Sequence, residues 1–81
     1  MTCNVKLSTC GGSPNLETAI NHITWEKACI IIAIGNGYFR ETEVINDETG
    51  EVLYSRYVAE DVFEQDVDLA TFYKGMAEVL R

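Results

Sequence analysis

The chain has 81 residues and a mass of 9.1 kDa, enough for one small domain around one core. Hydrophobic residues make up 47% and charged residues 23%, the composition of a folded globular protein rather than of a disordered tail. Thirteen acids against six bases give a net charge of −7, which argues against direct binding to nucleic-acid phosphates, where affinity comes from Lys and Arg.

The longest apolar run, Ala28 to Ile34, is far short of the ~20 residues a helix needs to cross a bilayer. The N-terminus lacks the basic and apolar regions of a secretory signal. Cys3, Cys10 and Cys29 are an odd number and cannot all pair within one chain. Free thiols in a reducing cytoplasm are therefore expected. The chain reads as a whole small gene product, a single domain over residues 1–81.

In chain order, Cys3, Val5 and Leu7 alternate with Asn4, Lys6 and Ser8, which predicts a half-buried strand at a sheet edge, guarded by Lys6. Cys10-Gly11-Gly12-Ser13-Pro14 breaks the chain. Ser13 suits an N-cap and Pro14 a first helical position. Leu16, Ala19, Ile20 and Ile23 follow at helical spacing and predict a first helix over about residues 14–26. The run 28–34, with its β-branched isoleucines, predicts a central strand buried on both faces. Gly35-Asn36-Gly37 is expected to turn the chain into a strand over 38–46. Asp47-Glu48-Thr49-Gly50 has the chemistry of a three-residue hairpin loop, leading into a strand over 51–58. Residues 59–65 fit either a loop or a short helix. Asp66 or Asp68 can cap a last helix bearing Leu69, Phe72, Tyr73, Met76, Ala77 and Leu80 on one face. The expected fold is α+β, a two-layer sandwich of order β-α-β-β-β-α, with a four-stranded antiparallel sheet and both helices on one face.

The charge is localised. Residues 1–40 and 69–81 are each net +1, whereas residues 41–68 hold ten acids and only Arg56 as a base. These acids are Glu41, Glu43, Asp47, Glu48, Glu51, Glu60, Asp61, Glu64, Asp66 and Asp68. Such a ridge keeps a small protein soluble, and it also steers encounter with a basic groove. Phe39, Tyr54 and Tyr57 lie among the acids, either as interface aromatics or as cover for the sheet. Arg56 is placed to pair with Glu41 or Glu43 across the strands.

Catalytic and metal chemistry finds little purchase. Cys10-Gly11-Gly12-Ser13 has the position of an anion-binding loop but neither phosphate-binding glycine motif. His22, the sole histidine, is expected beside the apolar stripe of the first helix, too far back to activate Cys10. Cys3, Cys10, His22 and Cys29 lack the close pairs of a zinc site, and Cys3 and Cys29 read as inward, core-filling thiols. Asp66-Val67-Asp68 lacks the frame of a calcium loop. Trp25, near the end of the first helix, is expected to cap the core, the alternative being an exposed second contact surface.

These features describe a non-enzymatic, cofactor-free binding module. Its expected partner is a protein with a basic, nucleic-acid-binding surface, met through Glu41, Glu43, Asp47, Glu48, Glu51, Tyr54, Glu60, Asp61 and Glu64. Direct contact with nucleic acid or a membrane is not expected, and the chain is read as a monomer or homodimer. The type (tiny, acidic, α+β, without catalytic residues) is similar to phage-encoded inhibitors of host nucleic-acid machinery, including anti-CRISPR and anti-restriction proteins. Two other readings are a structural or regulatory homo-oligomer, joined through strand edges or aromatics, and a metal or thiol sensor using its cysteines.

Overall fold

Cys3, Val5 and Leu7 project to one side of strand β1 (Thr2–Ser8) and are buried, the alternation of a strand with one face on the core. This is a computed structural model, and it describes residues 1–9, 16–58 and 69–81. The remaining elements are β2 (Glu17–Thr24), α1 (Trp25–Gly35), β3 (Glu41–Asn46), β4 (Val52–Tyr57) and α2 (Leu69–Leu80). The strands form one antiparallel sheet in the order β2-β1-β3-β4. Helix α1 lies on β1 and β2, and α2 packs on α1, which makes the second layer. An α+β sandwich with a four-stranded antiparallel sheet and two helices is what the sequence predicts.

The second and third elements exchange type. Residues 17–24, expected within a helix, are strand β2; residues 28–34, expected as a central strand, lie within α1. A bulge explains the first exchange. The pairing of β2 with β1 runs from Ser8↔Glu17 to Val5↔Ile20, then slips to Cys3↔Ile23. The slip brings both Ile20 and Ile23 to the core, a three-residue spacing that imitates a helical period. His22 sits in the bulge with φ +59°, in the left-handed region that histidine enters more readily than β-branched residues do. For the second exchange, an apolar run has no period to distinguish a buried strand from a buried helix. Thr24 settles the helix start: its Oγ1 accepts the Lys27 N–H, and Glu26 lies in the first turn, both favourable to an N-terminus. Trp25 thus opens α1 instead of closing a helix, and it packs against the core.

Three further expectations change with this topology. β1 is an inner strand, flanked by β2 and β3, so Lys6 does not guard an edge. Gly35 closes α1, and the chain turns through Gly37 (φ +98°) before β3 begins at Glu41. Cys29 lies on the exposed side of α1, so of the two described thiols Cys3 alone points inward.

The hairpin joining β3 and β4 forms as expected. Gly50 has φ +77°, Gly50 N–H donates to Asn46 C=O, and Asn46 Oδ1 accepts the Glu48 and Thr49 N–H groups. α2 forms where expected, although Tyr73 and Ala77 of the expected face are exposed and Val79 packs inward instead. Phe72 is its buried residue, with Leu69, Met76, Val79 and Leu80 half-buried against the core. The ring of Phe72 meets Phe39 at 4.9 Å, Tyr73 at 5.4 Å and Tyr38 at 5.8 Å between centroids. Tyr73 Oη lies 2.8 Å from Thr18 Oγ1, a hydrogen bond that ties α2 to β2. No helix among the described residues is long and apolar enough to cross a membrane.

Candidate functional site: the open face of the sheet

Because successive residues of a strand face opposite ways, the registers define the side turned away from the helices. Across the sheet, one row reads Glu17, Ser8, Glu41 and Tyr57, and the next reads Ala19, Lys6, Glu43 and Ser55. Cys3, Val5, Leu7, Thr42 and Val44 occupy the intervening positions and are buried under the helices. Three carboxylates, one ammonium and an aromatic thus share the open face. Glu41 and Glu43 are two residues apart on β3, about 7 Å along the strand. Lys6 lies directly opposite Glu43. Tyr57, beside Glu41, is 66% exposed, and Ile45 and Val52 extend the same face toward the turn.

The expected site residues separate into groups. Glu41 and Glu43 belong to this face. Glu48 and Glu51 are exposed at the β3–β4 turn. Tyr54 pairs with Val44 and packs against the core, so it does not join the carboxylates; Tyr57 does. Phe39 is buried, in contact with Phe72. Arg56 pairs with Thr42 on the helix side, which places it on the opposite side of the sheet from Glu41 and Glu43 and rules out those cross-strand pairs. Glu60, Asp61, Glu64, Asp66 and Asp68 lie outside the described residues, as do Cys10 and residues 11–15. Glu17 is the residue that sequence reasoning missed. Its place on the acidic face appears only once residues 17–24 are a strand.

Asp47 is engaged elsewhere. Thr2 Oγ1 lies 2.8 Å from each of its carboxylate oxygens, and His22 Nδ1 lies 2.8 Å from Oδ2. The His22 N–H donates to Asn4 Oδ1 at 2.9 Å. These bonds fasten the start of β1, the bulge of β2 and the β3–β4 turn to one another. The His22 and Thr2 hydrogen bonds hold the Asp47 carboxyl below the usual carboxylate range. The carboxylate stands between hydroxyl and imidazole. In a nucleophilic triad the imidazole must take that middle place, so this order holds the chain together without activating Thr2.

The two described cysteines differ in exposure, Cys3 being buried and Cys29 exposed. Burial, then the Asp47 carboxylate and then Cys29, push the Cys3 thiol up, so it stays protonated near neutral pH. Its Sγ lies 3.6 Å from Ile23 C=O, a weak hydrogen bond. Among the described residues no three His, Cys, Asp or Glu side chains are grouped as metal ligands. The fold and this face define a two-layer α+β domain with an acidic sheet surface. Comparison with protein-family models, with curated proteins and with solved structures finds no match.

Proposed function

We propose that the protein is a non-enzymatic binding module of the cytoplasm, an inhibitor or decoy that occupies a basic, nucleic-acid-binding surface of a partner protein. The observation that carries this reading is the sharing of one sheet surface by the exposed Glu17 and Tyr57 and the half-buried Glu41 and Glu43. Neighbouring carboxylates repel, so their grouping favours a cationic partner that relieves the repulsion. An exposed tyrosine beside them supplies the apolar contact that charges alone lack. Concentrated charge also raises the rate of encounter with a basic groove.

The test is capture from the native host with the wild-type chain and with Glu17→Lys/Glu41→Lys/Glu43→Lys. A basic partner retained by the wild type should be lost from the variant while its circular dichroism stays unchanged. Retention should also fall steeply between roughly 50 and 500 mM salt. Equal retention by the variant, or a salt-independent complex, refutes the reading.

A further inference from the structure

The sheet ends on two strands, and they are not equivalent. Each carries a bulge, β2 at His22 and β4 at Leu53, but the one in β2 holds a left-handed residue (φ +59°) and the one in β4 does not. Among the described residues no strand pairs with the outer side of β4. Val52, at 53%, and Tyr57, at 66%, are exposed near its two ends. The Val58 N–H donates to Arg40 C=O and the Asn46 N–H to Glu51 C=O. Antiparallel bonding engages alternate residues, so Tyr57, Ser55 and Val52 turn their N–H and C=O groups outward. Leu53 is the extra residue of a bulge: Val44 pairs with Tyr54 and Ile45 with Val52. Leu53 and Tyr54 both pack against the core, and Val52 and Ser55 are exposed.

We infer that two copies of the chain join antiparallel through β4, with Val52 opposite Ser55 of the second copy, Leu53 opposite Tyr54, and Glu51 opposite Arg56. Independent constraints select this register. Val52 and Ser55 both turn bonding groups outward, so each pair exchanges its backbone bonds. Core-side residues meet core-side residues and open-face residues meet open-face residues, a match that the bulge at Leu53 makes possible. Arg56, the only base in residues 41–68, meets Glu51 at each end of the joint strand. A register centred on Arg56 would set two guanidinium groups together, and one centred on Ser55 would set core-side Leu53 against open-face Tyr57. The strand is therefore complementary in charge to a second copy of itself. The pairing extends the sheet to both copies and brings their acidic faces into one surface. It does not depend on what that surface binds.

Sedimentation equilibrium of the full chain up to about 1 mM tests the inference. The mass should rise from 9.1 kDa toward twice that value with concentration. Ser55→Pro removes an outward N–H without touching the β3 ladder and should leave a folded monomer. Arg56→Glu and Glu51→Arg should each weaken association about fivefold or more, and the two together should restore it. A wild-type chain that stays monomeric at the highest concentration overturns the proposal. So does a dimer that survives Ser55→Pro, one lost instead on Ile30→Glu at the exposed side of α1, or a charge swap that fails to restore pairing.

Discussion

Phe72 is the residue through which α2 should be most exposed to perturbation. It is 2% exposed, touches the rings of Tyr38, Phe39 and Tyr73, and lies so close to Gly35 that a Cβ there would come within 3.1 Å of its ring. It is the only fully buried side chain of α2 among the described residues. Truncation to alanine removes the transfer free energy of the ring and leaves a cavity between α1, α2 and the 38–39 turn, for a loss of about 3–5 kcal/mol. A chain of this length has about 4–12 kcal/mol of total stability, so Phe72→Ala forfeits a large share of it. With a urea dependence of about 1 kcal/mol per molar, the midpoint should fall by about 3 M or more, or the protein should be unfolded before urea is added. Phe72→Leu, which keeps more volume, should lose less. Urea titrations followed by far-ultraviolet circular dichroism and tyrosine fluorescence read both. A Phe72→Ala midpoint within about 1 M of wild type would refute the placement of α2 as part of the core.

Two glycines should respond oppositely to alanine. Gly35→Ala drives a Cβ against a packed ring and should lower stability by about 1–3 kcal/mol, whereas at Gly75 the Cβ meets only the terminal methyl of Ile34, at 3.3 Å, so the helical preference for alanine should raise stability by up to about 1 kcal/mol; thermal midpoints read both. Asp47 has its carboxyl lowered in the folded state, so its contribution is present above the ordinary carboxylate range and is lost as pH falls through the folded value. Melting temperatures between roughly pH 7 and pH 3 should therefore fall less steeply for Asp47→Asn than for wild type, with His22→Ala intermediate. Cys29 should react with a thiol reagent in the folded protein, and Cys3 only at the rate of unfolding, as mass spectrometry of timed samples would show.

What could be read from the chain depended on how local the determining physics is. Asn46 to Gly50 carry their own turn chemistry, and α2 shows its packing face at every turn, so both were legible without knowledge of neighbours. The exchange of types at residues 17–24 and 25–35 was not legible. A bulge opposite Asn4 displaces the apolar residues of β2 onto a helix-like spacing, and the isoleucines of α1 favour strand by propensity but helix by their setting between sheet and α2. The acidic ridge was legible as composition and only partly as a surface. Glu41 and Glu43 share the open face, while Asp47 is spent on Thr2 and His22, and Glu17 enters from a segment distant in sequence. Tyr54 and Tyr57 look alike in the chain, and their pairing partners on β3 decide which one meets solvent.

The bulge at His22 also limits how large an assembly the sheet could build. Strand-edge association becomes open-ended growth when each unit offers two good edges, since every added copy presents a fresh one. Here the left-handed residue at the register slip makes the β2 edge the poorer template, while the bulge of β4, at Leu53, holds no left-handed residue. A unit with a single usable edge is a chain terminator. Pairing of the kind inferred for β4 would stop at a closed pair, without a route to a fibre.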